Sequence, residues 1–281
     1  MRSIILPLGN KFRMWVYNLR ILSAFLLGIT IMLFYVARYV SYAEAMGQSI
    51  ACFEAYVVLS SQPQAFCFLM LGGLLLLSDA PFLTPLSAQE MIRVGRKKWL
   101  TGQIAYIFLA SIVYFSVLAV IAFLYSTVTV GTYLLGSWSN ALQILATLQP
   151  QAVSDNYLVS FPFPEMVQIV SPGTVAFATI MLQSLYLSMV SLIILCGNLV
   201  LRTNCGWILG SCFHFVNYMI VANAGFGMNI KYSLLCFTIL GYQFSPSLGM
   251  PPQYCIGVIL LSILFLIIIC LINTNRIEPF E

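Results

Sequence analysis

The stretch "RVGRKKWLTGQIAYIFLASIVYFSVLAVIAFLY", Arg93 to Tyr125, sets a cluster of cations against a long apolar run. Arg93, Arg96, Lys97 and Lys98 fall within six positions and make up a third of the twelve Lys and Arg in the chain. From Leu100 to Tyr125 no charged residue follows. A helix crosses ~30 Å of hydrocarbon with ~20 largely apolar residues. The stretch therefore reads as a basic anchor leading into a transmembrane helix.

The rest of the chain repeats that pattern. It is 61% hydrophobic and 7% charged, with a mean hydropathy of +0.97. A soluble domain carries about 25% charged residues, and a water-soluble core of this size could not hide so much apolar surface. The expected class is an all-α polytopic membrane protein with residues 1–281 as one domain. Six stretches qualify as spans: Ile21–Ser41, Gln62–Leu77, Leu100–Tyr125, Thr174–Val200, Cys205–Ala224 and Tyr254–Ile272. The second has the least clean start and is expected to begin nearer Ala55.

Cations orient the spans. With the N-terminus inside, Arg2, Lys11, Arg13, Arg20, Arg93, Arg96, Lys97, Lys98, Arg202 and Arg276 fall on the cytoplasmic side, and Arg38 and Lys231 on the outer side. That bias follows the positive-inside rule, and six spans return the C-terminus to the cytoplasm of a cell-membrane protein. The net charge of +4 is thus a topology signal and not a sign of nucleic-acid binding. The first twenty residues do not resemble a cleaved signal, because their cations extend to Arg20 and the apolar run after them is too long. Trp15, Trp99, Trp138 and Trp207 each fall at an expected membrane–water boundary, where an apolar ring with one N–H is at home.

Three segments outside the spans carry patterns. In residues 8–20, Phe12, Trp15, Val16 and Leu19 share a face, with Lys11, Arg13, Asn18 and Arg20 away from it. This predicts an interface helix, or else a basic flank that only sets topology. In the outer connection 126–173, "LLGSWSNALQILATLQ" gathers Leu134, Leu135, Trp138, Leu142, Leu145 and Leu148 on one side. Ser139, Asn140, Gln143 and Thr147 gather on the other, as in a helix that lies on the leaflet or caps the spans. Residues 231–251 are too short to span and end in Gly and Pro, which predicts a re-entrant outer segment shielded by helices. The eight Cys are scattered without a C-x-x-C pair and mostly read as small hydrophobes, with a disulfide among Cys52, Cys236 and Cys255 the alternative.

The loop "SDAPFLTPLSAQEMIRVGRKKWLTGQ" holds a short helix between breakers. Pro81 stops the second span. Thr84-Pro85 is one start signal and the Ser87-to-Glu90 capping box another. Gly95 closes the helix. Between them lie Leu86, Met91, Ile92 and Val94, and then Arg96, Lys97, Lys98 and Trp99 anchor the third span. The cations alone would follow from a topogenic loop packed on its own spans. A capped apolar helix on the cytoplasmic face also asks for a partner.

In this order of elements, and in "AQEMIRVGRKKWLTGQ", the chain resembles the integral membrane permease of type-2 ABC transporters, a family mostly engaged in export. Glu90 matches the Glu of that family's first intracellular loop and Arg93 through Lys98 its basic run. "FSPSLG", Phe244 to Gly249, resembles the Ser-Pro element of its last outer segment. The long outer connection departs from the family. The resemblance implies a dimer with a second permease copy or paralogue in the lipid bilayer, driven by separate ABC ATPase subunits. It implies that residues 84–95 couple to the ATPase through Leu86, Glu90, Met91, Ile92 and Arg93.

Catalytic signatures are missing from the sequence. No G-x-x-x-x-G-K-[ST] occurs, so ATP is expected on a partner and no cofactor in this chain. No enzymatic role is expected. The single His, His214, is expected to bond a neighbouring helix, with a proton relay as the alternative. Gly206 and Gly210 read as helix packing. So few charges suit an amphipathic, peptide or lipid-like cargo better than inorganic ions. The competing class is a self-contained secondary transporter or channel.

Overall fold

The computed structural model describes Phe12 and residues 15–82, 87–133, 136–148, 151–201, 205–223, 229–245 and 248–276. It is helical almost throughout. In chain order the described helices are α1 (Leu19–Ala45), α2 (Glu54–Ser60), α3 (Pro63–Leu77), α4 (Ser87–Val94), α5 (Arg96–Thr129), α6 (Asn140–Leu148), α7 (Gln151–Tyr157), α8 (Pro164–Ile169), α9 (Pro172–Leu201), α10 (Gly206–Ala222), α11 (Leu240–Gln243) and α12 (Pro252–Ile272). Two-residue strands β1 (Ile50–Ala51) and β2 (Thr132–Tyr133) pair in parallel, with Ile50 opposite Thr132.

Four helices, α1, α5, α9 and α12, are long and apolar enough to cross a membrane. The 34 residues of α5 extend about 50 Å at the helical rise, well beyond the hydrocarbon thickness. Two of the six expected spans fall short of a single straight helix. α10 has 17 residues. The second expected span does begin early, but as the separate helix α2, bent 96° from α3. The cause is local. Pro63 lacks an N–H to continue the ladder, and Gln62 before it is extended at φ −92°, ψ 114°.

α9 sits at the centre, packed against α5, α10 and α12, while α1 packs along α3. Small residues set these distances. A Cβ at Gly72 would lie 2.2 Å from the Tyr114 hydroxyl and 2.7 Å from the Ala24 carbonyl. One at Gly28 would meet the same hydroxyl at 2.3 Å. The two glycines thus let Tyr114 of α5 reach between α1 and α3 and donate to the Leu69 carbonyl at 2.9 Å. Gly206 and Gly210 do the same for the α9–α10 contact, against the Ile194 carbonyl and side chain. His214 is fully buried, with Nδ1 3.2 Å from the Tyr186 hydroxyl and Nε2 3.3 Å from the Cys67 carbonyl. It therefore ties α10 to both α9 and α3.

Gly72→Ala is a direct test of this packing. Alanine gains ~1 kcal/mol in helix propensity over glycine, but overpacking a filled core costs ~1–3 kcal/mol. The fixed Ala24 carbonyl makes the second effect the larger. We expect Gly72→Ala to lower the apparent melting temperature in detergent, and Gly257→Ala, which has open space around its Cβ, to leave it unchanged or raise it. Equal melting of the two variants would overturn this account of the core.

The bundle has two distinct ends. At the end bearing α4, termed the loop end, Arg20 forms an ion pair with Asp79. There Asn198 donates to the Ala80 carbonyl at 2.5 Å and accepts from the Gly206 N–H at 2.6 Å. The opposite end, the cap end, carries α6, α7, α8, the strand pair and residues 229–251.

Several expectations are corrected here. In residues 8–20 the described part is Phe12, a 3-10 turn at Trp15–Tyr17 and the start of α1, with Asn18 as the N-cap. Leu19 is 80% exposed, whereas Arg20 turns inward to Asp79 because a carboxylate is waiting there. In α6, Leu142 and Leu145 are buried and Gln143 and Thr147 exposed as the wheel requires. Leu148 is nevertheless 72% exposed and Ser139 is buried, since Ser139 precedes the helix and caps it at the Leu142 N–H. Leu134 and Leu135 lie outside the described residues. The eight cysteines are free thiols, so Cys52, Cys236 and Cys255 form no disulfide.

Residues 229–245 and 248–251 cap the bundle with 3-10 turns and the single turn of α11. Leu235, Cys236, Phe237, Thr238 and Ile239 are all buried. Irregular backbone at such a place must find partners. The Asn217 side chain of α10 accepts from the Leu234 N–H at 2.7 Å, and its backbone carbonyl accepts from the Ser233 hydroxyl at 2.8 Å. Pro246 and Ser247 of the "FSPSLG" element lie outside the described residues.

Candidate functional site

The loop end presents the basic helix. α4 runs from Ser87 to Val94 and stops at Gly95, whose φ of +86° is a backbone state that favours glycine. The Gly95 N–H closes on the Met91 carbonyl at 2.9 Å, and the Gly95 carbonyl accepts the first bond of α5 from the Trp99 N–H at 3.0 Å. One residue thus ends one helix and starts the next. α4 is held as a compact body against α5.

Its two faces differ. Met91 is 4% exposed and belongs to the bundle core, whereas Ile92 is 83% exposed. Glu90 is half-buried. Among the described residues the outward face of α4 thus exposes Ile92 beside Arg93, and the exposed Arg96, Lys97 and Lys98 follow on the first turn of α5. Of the apolar residues expected to meet a partner, Ile92 is free to do so and Met91 is not, because the amphipathic turn needs one face for its own bundle. Leu86 lies outside the described residues.

The tryptophans behave as protein anchors. Trp99, in the first turn of α5, is 2% exposed and packs within the bundle core. Trp138 is 5% exposed and donates to the Val170 carbonyl at 2.7 Å. Trp15 donates to the Tyr106 hydroxyl at 2.8 Å, and Phe12 stacks between them at 4.8 and 5.3 Å from the two rings. Phe82 adds an edge contact to Tyr106 at 4.7 Å. Trp207 is 51% exposed.

Sequence reasoning missed a second cluster, at the cap end. Glu54 is fully buried and accepts four hydrogen bonds. They come from the Tyr39 hydroxyl, the Ser139 hydroxyl at 2.5 Å, the Ser139 N–H at 3.0 Å and the Ala51 N–H at 3.2 Å. One carboxylate thereby joins α1, β1, α2 and the start of α6. The signal available was a lone Glu inside the apolar run "ACFEAYVV", but its donors are distant in sequence. With every oxygen engaged, the group reads as a structural tie. Among the described residues no group of three or more His, Cys, Asp or Glu is placed to hold a metal ion.

No protein-family model, curated protein or solved structure matches the chain. The likeness to a permease family accordingly rests on the order of elements and on the loop from Ala88 to Gln103.

Proposed function

We propose that the chain is the membrane-spanning permease subunit of an ATP-driven ABC-type transporter, energised by a separate ATPase and acting with a second copy or paralogue. In this reading α1, the bent pair α2–α3, α5, α9, α10 and α12 form six spans in the cell membrane with both termini cytoplasmic. The observation that carries the reading is α4: a short helix seated through Met91 on the bundle core, which exposes Ile92 beside Arg93 at one end of the bundle. A coupling element must be compact, because a floppy loop would absorb motion instead of passing it on. The charge asymmetry of the loops supports the same orientation. The cargo class that suits so apolar a bundle is amphipathic, peptide or lipid-like, moving outward.

Two measurements test this. Cysteines introduced at Lys97 and Asn140, both exposed, are expected to react with an impermeant maleimide from opposite sides of the membrane. Reaction of both from one side would sink the topology and the coupling role with it. In sealed vesicles, cargo movement is expected to require ATP and a second protein. Movement by the purified chain alone under an ion gradient would replace this reading with a self-contained secondary transporter.

A further inference from the structure

The cap end holds a groove of ~700 Å³ between the second half of α1, the α2–α3 bend and residues 158–163. A volume of this order suits a small ligand or a lipid headgroup with part of its chain. Its polar lining combines the Arg38 cation with Gln62 and Gln64 at the corner where the α2–α3 bend lies, and with Ser and Tyr hydroxyls that can donate or accept. Its walls are aromatic, from Phe34, Phe68 and Phe163. No carboxylate lines it.

Arg38 is the informative residue. It stands seven residues before the end of α1, about 10 Å along the axis from that terminus. A cation in the last two turns of a membrane-crossing helix lies near the headgroup level and seeks an anionic or polar partner there. Among the described residues it makes no ion pair. Its guanidinium instead lies over the rings of Phe34 and Tyr35, at 4.3 and 5.0 Å from their centroids. Those faces steady the charge and fix the planar fork, but they leave its N–H donors without an anion. Leu158 at the rim holds φ +54°, a strained state for a residue with a side chain, of the kind that gathers at ligand sites.

We infer that this groove binds an amphiphile with an anionic phosphate or carboxylate head, the head on Arg38 and the apolar part along Phe34 and Phe68. The Arg38 charge, with no lining carboxylate to hold a cationic head, favours an anionic head, and the apolar aromatic walls favour an amphiphile over a soluble anion. The inference stands on the groove and on α1 crossing a membrane. It does not depend on an ATPase.

The test uses the full chain in nanodiscs of phosphatidylcholine doped with a photoreactive phosphatidylglycerol, with adducts mapped by mass spectrometry. Adducts are expected on the peptides holding Phe68 and Leu158. Arg38→Gln is expected to reduce them on the order of tenfold or more, as for loss of a charge-assisted hydrogen bond, and Arg38→Lys by less. Gln62→Leu with Gln64→Leu serves as a second variant, expected to weaken labelling with the cation in place. A photoreactive phosphatidylcholine should leave the groove unlabelled. Equal labelling by the two lipids, or labelling untouched by Arg38→Gln in protein that melts normally, would reduce the groove to ordinary lipid contact. Displacement of the lipid by millimolar inorganic phosphate would assign the site to a soluble anion and overturn the amphiphile.

Discussion

Replacing Glu54 with alanine is expected to destabilise the chain by roughly 3 kcal/mol or more, because the change strands buried donors. The two hydroxyls can adapt: Tyr39 and Ser139 lie 3.3 Å apart, and Ser139 also accepts from the Leu142 N–H at 3.1 Å. The backbone N–H groups of Ala51 and Ser139 cannot turn away, and each buried unsatisfied group costs ~1–3 kcal/mol. Glu54→Gln should fall between, since it keeps one acceptor oxygen but points an amide N–H₂ at groups that donate. Unfolding of such a chain is often irreversible, so the readouts are apparent melting temperature and half-life in detergent. Asp155→Ala, at an exposed carboxylate of α7, is the control and should change neither. A Glu54→Ala protein that melts with the wild type would remove the carboxylate as the tie of the cap end.

The second large effect is expected at Ile92 and rests on the proposed coupling role. Interface anchors typically cost 2 kcal/mol or more when truncated, whereas rim charges cost much less. Ile92→Asp should therefore weaken capture of the ATPase by well over tenfold while the chain still reaches the membrane. Met91→Asp should act differently. It puts a charge where the side chain is 4% exposed, so the chain itself should be lost. Lys97→Gln with Lys98→Gln should mainly disturb insertion, as expected of topology anchors. Pull-down of the ATPase at matched membrane expression separates the cases. Should Ile92→Asp keep its partner while the double Gln variant loses it, the basic run is the docking surface and the apolar anchor is discarded.

Much of this was legible in the residues, and the reason is range. Long uncharged runs announce α1, α5, α9 and α12, because a helix that satisfies its own backbone is the local answer to hydrocarbon. Gly95 acts on its own φ and on one hydrogen bond, so the stop of α4 could be read in place, whereas the second span reads as continuous through Pro63, where the structure breaks it. The outward Gln143 and Thr147 and inward Leu142 and Leu145 follow from helical periodicity alone. What could not be read are pairings across the chain. Arg20 reads as one more cytoplasmic cation, and nothing near it in the chain announces its ion pair with Asp79. Trp99 and Trp138 looked like boundary residues, and only neighbouring helices decide whether a ring meets lipid or protein. Glu54 and Ser139 are 85 residues apart, so neither betrays the other. The sequence by itself determined which segments are helical and how apolar they are, since those depend on bonds within a few residues. The inward turn of Met91, the burial of Trp99 and Trp138 and the four-way tie at Glu54 were decided by tertiary structure alone, because each depends on which distant atoms fill the space beside it.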